Sequence, residues 1–274
     1  MKTTFLVTLL LFCFSLQLLG QTHPLVGTWK AVSIKGTDPD GKQLSMDGSQ
    51  FVETKIITPT HYALITHMKS GDSLVFDKAI AGTVRVEGNK YYETPQYFSG
   101  EGFDKAKTDF TYTLEGDRFI QKGIITEGDK VFKLDELVFE KVKAPTQNNP
   151  AVGVWNQVSS KGVAPNGEKW SHTNATHIRF LIITPTHWMV LSTKENKFEN
   201  ARGGSYTMQG DKMLPKVELA SLPDDGTATV ELTQRMEAGK LHSAGIVKLA
   251  DGKSFTMDDV YEKVSPKTIK TPKQ

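Results

Sequence analysis

The chain has 274 residues, 33 Lys and Arg against 31 Asp and Glu, and a single Cys. This near-neutral balance, with no basic patch outside the C-terminal tail, argues against nucleic-acid binding. The single Cys is Cys13, so the chain after it has no disulfide, thiolate nucleophile or Cys metal ligand.

Residues 1–20 have the pattern of a secretory signal peptide. Lys2 is followed by an apolar run from Phe5 to Leu19, which is short for a membrane span of about 20 residues. Cys13 lies inside this run, so it does not fit the position of a lipidated Cys. We therefore expect export to the periplasm or the medium, with no transmembrane segment after signal cleavage.

The rest of the chain contains an internal repeat. Residues 56–61, Ile-Ile-Thr-Pro-Thr-His, recur at residues 182–187, an offset of 126. A four-residue shortening follows, so that Lys90 meets Lys212 at an offset of 122. Such self-similarity predicts two copies of one small domain. The predicted organisation is a domain at 21–143, an exposed linker at 144–149, a second domain at 150–264 and a disordered basic tail at 265–274.

Each copy shows short β-branched and aromatic runs separated by Gly-centred or Pro-containing turns, which is typical of hairpin-connected strands. The first copy has predicted strands near 26–34, 49–57, 61–67, 80–86, 90–97, 107–114, 118–125 and 131–141. The second has them near 152–160, 175–183, 187–193, 204–208, 212–219, 228–236, 240–247 and 254–263. Eight strands avoid open edges by closing into a barrel. The predicted fold class is all-β, with two tandem eight-stranded up-and-down barrels, each wide enough for one small ligand.

The first strand of each copy carries a Gly-x-Trp, as Gly27-Thr28-Trp29 and Gly153-Val154-Trp155. With the repeated Ile-Thr-Pro-Thr-His and the terminal Val260-Tyr261-Glu262-Lys263-Val264, each copy resembles the bacterial lipocalin-like domains of unknown function found in exported proteins. The resemblance implies that Trp29 and Trp155 close the barrel floors. It also implies that Lys141 and Lys263 pack over them, and that a barrel binds a small, largely apolar molecule.

Two histidines are candidate functional residues, His61 and His187. Each opens a strand after a Thr-Pro-Thr turn, so we expect it at a barrel rim. There the imidazole would act as a base, bind a metal or contact a polar ligand group; alternatively, it would satisfy backbone groups of the turn. The spacings of His172 and His177 match no zinc pattern. The sequence predicts no metal and no cofactor.

Aromatic side chains distinguish the copies. The first copy carries Tyr91, Tyr92, Tyr97, Phe98, Phe103, Phe110 and Tyr112, whereas the matching stretch of the second offers Met213, Leu214, Leu219, Leu222 and Leu232. These aromatic residues fit either ordinary core packing or an aromatic-lined cavity in the first barrel. The predicted ligand contacts are His61, Tyr62, Tyr112, His187, Trp188 and Tyr206.

The leading functional prediction is non-enzymatic binding of a small hydrophobic or amphipathic molecule inside a barrel. A second hypothesis is an extracytoplasmic hydrolase or isomerase that uses the rim histidines, although the sequence has no recognisable phosphate loop, nucleophile elbow or His-Glu-x-x-His. A third is a scaffold for a partner protein of unknown identity. No catalytic residue is assigned from the sequence.

Overall fold

The computed structural model describes residues 23–100, 103–175, 177–222 and 228–264. The predicted signal peptide and the predicted basic tail lie outside these residues. Over the described part of the chain, no helix is long and apolar enough to cross a membrane.

The described part of the first half is a meander of antiparallel strands, with one 3-10 turn at Phe103–Lys105. The strands are β1 (Gly27–Thr37), β2 (Gln43–Asp47), β3 (Phe51–Ile57), β4 (His61–Ser70), β5 (Ser73–Glu87), β6 (Lys90–Phe98), β7 (Lys107–Glu115), β8 (Arg118–Glu127) and β9 (Lys130–Lys141).

The second half repeats this arrangement. Its strands are β10 (Gly153–Val163), β11 (Lys169–Thr173), β12 (His177–Ile183), β13 (His187–Lys194), β14 (Lys197–Gln209), β15 (Lys212–Pro215), β16 (Leu219–Ala220), β17 (Thr229–Glu237), β18 (Lys240–Lys248) and β19 (Ser254–Lys263).

Each half closes on itself. In the first, β3 to β9 pair in sequence and β9 returns to pair with β1, with Trp29 opposite Lys141. In the second, β19 pairs with β10, with Trp155 opposite Lys263. The predicted all-β class and the two eight-stranded antiparallel barrels are therefore confirmed; we refer to them as barrel one and barrel two.

The strand predictions needed three corrections. Strands β2 and β11 were not predicted, because they are mostly exposed five-residue arms that pair with β1 and β10 outside the barrel path. Strands β5 and β14 begin seven residues earlier than predicted. In both, a β-bulge interrupts the two-residue period. The predicted strand at 212–219 is divided into β15 and β16.

Side chains alternate between the interior of each barrel and its outer surface. Ile57 and Tyr62 point into barrel one, whereas their neighbours Ile56 and Ala63 belong to a different apolar cluster. Barrel two follows the same rule, because Ile183 and Trp188 belong to its interior cluster while Ile182 does not.

The outward-facing cluster lies between the barrels and joins them. It consists of buried side chains from β3, β4 and β5 of barrel one and from β10, β12, β13, β14 and β16 of barrel two. Its rings interlock, since Phe76 stacks on Phe198 at 5.8 Å between centroids and Tyr97 on Phe180 at 5.1 Å. The buried members are Ile56, Ala63, Ile65, Ala79, Ala81, Val154, Phe180, Ile182, Met189, Leu191, Ala201 and Leu219.

Polar contacts surround this interface. The Nε2 atom of His67 lies 2.7 Å from the carbonyl oxygen of Ala220. The segment predicted as an exposed linker is also held by barrel two, because Gln147 donates its N–H to the carbonyl of Pro185 and accepts the N–H of Met208 through its side chain. These polar contacts and the apolar cluster together join the two barrels.

Candidate functional site in barrel two

A cavity of about 50 Å³ lies inside barrel two. Its walls are mainly apolar, with a few polar side chains on one side. The lining residues that carry the argument below are Arg179, Leu181, Arg202, Pro215, Gln234 and Ser243.

The cavity exists because three large polar residues of barrel one are replaced by smaller ones. In barrel one, the fully buried Nζ of Lys55 lies 2.7 Å from Glu93 Oε1 and 3.3 Å from Gln121 Oε1. At the repeat offsets of 126 and 122, these three residues correspond to Leu181, Pro215 and Ser243. All three replacements line the cavity.

The wall of each barrel has a short seam where the strand ladder is only two residue pairs long. In barrel one this seam joins β6 to β7, and in barrel two it joins β15 to β17. Barrel one reinforces the seam with Thr108, whose hydroxyl accepts the N–H of Glu93 at 2.7 Å and donates to its carbonyl at 2.9 Å.

Barrel two cannot make this reinforcement. Pro215, in the position of Glu93, has no N–H to donate, and Val230, in the position of Thr108, has no hydroxyl. Both Pro215 and Val230 line the cavity. The seam between β15 and β17 is therefore the apolar, weakly bonded side of the cavity wall.

The opposite side of the cavity is polar. Arg179 directs Nη1 to Asp259 Oδ2 at 3.0 Å and Nε to Ser192 Oγ at 3.3 Å. Asp259 is fully buried, and it also accepts hydrogen bonds from the hydroxyls of Ser160 and Tyr261. Burial raises the pKa of Tyr261, which keeps this phenol protonated as a donor.

Two amide side chains inside barrel two have unpaired atoms. Among the described residues, Gln234 Oε1 and both polar atoms of Gln157 are buried without a hydrogen-bond partner. An unsatisfied buried polar atom costs about 1–3 kcal/mol, so a water, an ion or a polar ligand group that pairs with it would be stabilising. Gln234 lines the cavity, and its amide nitrogen lies 3.1 Å from the sulfur of Met213.

The structure places His61 and His187 on the outer face of their barrels, packed in the inter-barrel interface rather than facing an interior. The ring of His61 lies 5.9 Å from that of Phe180, and its Nδ1 is 2.8 Å from Thr60 Oγ1. Burial lowers the pKa of His61 to about 4 and also lowers that of His187. In each loop the Thr hydroxyl at the start of the turn bonds both backbone groups of the histidine.

The other four predicted ligand contacts are not brought together. Tyr62 is buried inside barrel one, 5.8 Å from Lys55 Nζ, and Tyr112 lies near His23, with its hydroxyl 3.3 Å from Nε2. In barrel two, Tyr206 donates to the carbonyl of Thr184 at 2.7 Å, and burial raises its pKa to about 12. Of the six predicted contacts, Trp188 lines the described cavity.

The residues assigned to the barrel floors are paired. Lys141 Nζ lies 5.4 Å from the ring centroid of Trp29, and Lys263 Nζ lies 5.8 Å from that of Trp155. Each indole also donates to a backbone carbonyl four residues earlier, that of Leu25 or Ala151. These contacts place both tryptophans at the end of the barrel where its first and last strands meet.

Sequence reasoning missed the residues that form the cavity. The signal was present in the repeat itself, because Lys55, Glu93 and Gln121 align with Leu181, Pro215 and Ser243. Among the residues that the structure describes, no group of three or more His, Cys, Asp or Glu side chains is arranged to hold a metal ion.

Comparison with known proteins found no matching family model and no matching curated protein. Solved structures were matched over most of the chain at low similarity. One is a protein of unknown function from the DUF3598 family of Nostoc punctiforme, with 12% identity, coverage of 88% of this chain and 96% of that chain, and a TM-score of 0.24.

Two others are transferrin binding protein B structures. The isotype 1 protein from serogroup B Neisseria meningitidis has 7% identity, covers 87% of this chain and 76% of that one, and has a TM-score of 0.28. A single-residue mutant from Haemophilus parasuis has 7% identity, with 89% and 77% covered and a TM-score of 0.26. At these low scores the similarity assigns neither a ligand nor an activity to this chain.

Proposed function

We propose that the protein is an exported, lipocalin-like tandem-barrel protein that binds a small amphipathic molecule inside barrel two. The observation that carries the proposal is the replacement of the Lys55–Glu93–Gln121 cluster by three smaller residues that line a cavity. Export is supported by the signal-like N-terminal sequence, and the lipocalin-like assignment by the Gly-x-Trp strands.

The two barrels have different roles in this proposal. The interior of barrel one is filled by the buried ion pair of Lys55 and Glu93. Barrel two supplies apolar walls, and its polar groups orient the ligand, which is the usual composition of a small-molecule site. The ligand enters through the seam between Pro215 and Val230. The strand ladder there is only two residue pairs long, and it lacks the side-chain hydrogen bonds that Thr108 makes in barrel one.

The volume limits the ligand. A cavity of about 50 Å³ is smaller than the roughly 150 Å³ that accommodates benzene. The site therefore fits a molecule of a few non-hydrogen atoms, or the end of a longer molecule that leaves through the seam.

Titration with 1-butanol, monitored by backbone and indole amide NMR shifts, tests the proposal. Butanol should shift the resonances of Trp188, Gln234 and Ser243. The variant Ser243→Gln restores the barrel-one side chain and should abolish the shifts. The control Ser254→Gln changes an exposed residue on β19 and should bind as the parent does. The proposal is overturned if neither 1-butanol nor butanoate shifts these resonances in the parent, or if Ser243→Gln shows shifts equal to those of the parent.

A further inference from the structure

The charges around the cavity are unequally distributed. Among the described residues that line it, the charged ones are Arg179 and Arg202, both cationic. At the equivalent positions barrel one has Glu53 and Ile80, which also face its interior. Barrel two has therefore acquired two guanidinium groups where its sister barrel has a carboxylate and an apolar side chain.

Arg179 is held in place by its neighbours. Its bonds to Ser192 and Asp259 fix the plane of the guanidinium group against the cavity wall. A guanidinium group has five N–H donors, so these two contacts leave donors that can be directed to a ligand. Its side chain is 16% exposed, so contacts made there are poorly screened by solvent.

The nearby carboxylates do not favour a cationic ligand. Asp259 is fully buried, its Oδ1 accepts from Ser160, and its Oδ2 accepts from both Arg179 and Tyr261. Glu199 Oε2 lies 2.6 Å from Nε2 of His177 and accepts its hydrogen bond. Neither carboxylate lines the cavity, whereas Arg179 and Arg202 do.

The other residues that line the cavity are polar on one side and apolar on the other. Gln234 Oε1 is buried without a partner, so a hydroxyl or N–H carried by the ligand in addition to its charged group would pair with it, and Ser243 supplies a second polar contact. Trp188, Val190 and Leu232 provide the apolar wall. The combination suits a short apolar body with an ionised group at one end.

We infer that the ligand of barrel two is a small organic anion, such as a short-chain carboxylate, whose charged group is bound by Arg179 and Arg202. This inference rests on the proposed function and specifies the ligand class of the same cavity. Charge-assisted hydrogen bonds from guanidinium to carboxylate are about twice as strong as neutral ones, so they discriminate against an uncharged analogue of equal size.

The experiment compares butanoate with 1-butanol on the full mature chain at pH 7 by NMR titration. Butanoate should bind at least about tenfold more tightly than butanol, because one charge-assisted hydrogen bond contributes about that factor. Arg202→Met should reduce the ratio of butanoate affinity to butanol affinity by about tenfold. Arg202→Lys should retain part of the preference, because it keeps the charge but not the planar donors.

The outcomes separate the two proposals. If butanol and butanoate bind the parent equally, the anion inference is wrong and the binding proposal stands. If neither shifts the cavity resonances, the binding proposal itself fails. The butanoate-to-butanol ratio of the parent needs no substitution, so the inference is tested even if an Arg202 variant does not fold.

Discussion

Pro215 occupies in barrel two the position of Glu93 in barrel one, and this single difference removes both a buried carboxylate and a backbone N–H donor. The lost carboxylate removes the partner of the buried ammonium group, whose own position is Leu181 in barrel two. The lost N–H removes the bridge across the seam of the barrel. The same exchange therefore contributes to the cavity and accounts for its weakest wall.

The buried pair in barrel one should be sensitive to the loss of either partner. Replacing Lys55 with Met leaves Glu93 without its cation, and breaking a buried pair in this way costs about 3–5 kcal/mol. Urea unfolding should show this loss. The double variant Lys55→Met, Glu93→Leu should recover most of it, because no uncompensated charge remains. Equal stability of the single and double variants would contradict this account.

Much of the fold was predictable because each barrel strand has two signals. The alternation of apolar side chains locates the strand, and Gly-centred turns such as Glu87-Gly88-Asn89 locate its ends. The exceptions have a physical cause. The bulge at Asp77, opposite Thr66 and His67, shifts the alternation by one residue, which hides the first part of β5.

The candidate site was much less predictable. The sequence drew attention to His61 and His187, because repeated histidines after a Pro turn suggest chemistry. However, both rings face the neighbouring barrel, and the sequence of one repeat does not show that its outer face is buried. The residues that form the cavity are small or apolar. Leu181 and Pro215 indicate a cavity only when they are compared with the larger polar residues Lys55 and Glu93 of the first repeat.

The inter-barrel interface should make the two barrels unfold together. Ile182 is fully buried, although it points away from the interior of its own barrel. Replacing it with Asp should therefore remove more than about 3 kcal/mol without disturbing either barrel interior. Ile246, which is 45% exposed on β18, provides the control Ile246→Asp, which should have little effect.

Thermal unfolding followed by calorimetry would measure the coupling. The parent should show one transition, because the barrels share a core. Ile182→Asp should show two, as each barrel then unfolds separately. A single unshifted transition in this variant would mean that the outward cluster does not couple the barrels.

The same interface should weaken in acid. The folded-state pKa of His61 is lowered to about 4 by burial, against an ordinary value of 6.5. The unfolded chain therefore binds the proton more readily, and the stabilising contribution, complete above pH 6.5, is lost as the pH falls towards 4. Burial lowers the pKa of His187 as well, so it acts in the same direction.

Urea unfolding between pH 7 and pH 4 would reveal this dependence. The slope of stability against pH should be smaller in His61→Gln than in the parent over this range. His242→Gln, on β18 away from the interface, should keep the parental slope. An unchanged slope in His61→Gln would show that protonation of this ring does not limit stability in acid.

A separate acid-sensitive contact holds the arm formed by β11 to the end of barrel two. His177 connects two partners, with Nδ1 2.8 Å from His172 Nε2 and Nε2 2.6 Å from Glu199 Oε2. Nε2 of His177 donates to Glu199, so the bond between the two rings needs one unprotonated nitrogen, either Nδ1 of His177 or Nε2 of His172. Once both rings are protonated, both nitrogens are donors and the bond is lost.

Burial and the positive charges of His177 and Arg179 lower the pKa of His172, against the opposing carboxylates of Asp259 and Glu199. The contact should therefore stabilise the arm fully above the ordinary value of 6.5 and be lost progressively as the pH falls through the lowered pKa of His172. Hydrogen exchange, corrected for the intrinsic pH dependence, should show the amides of β11 losing protection between pH 7 and pH 5. The amides of β2, whose arm carries Met46 in place of His172, provide an internal control and should keep theirs. His172→Met should abolish the difference between the two arms, and equal loss of protection in β2 and β11 of the parent would contradict the assignment.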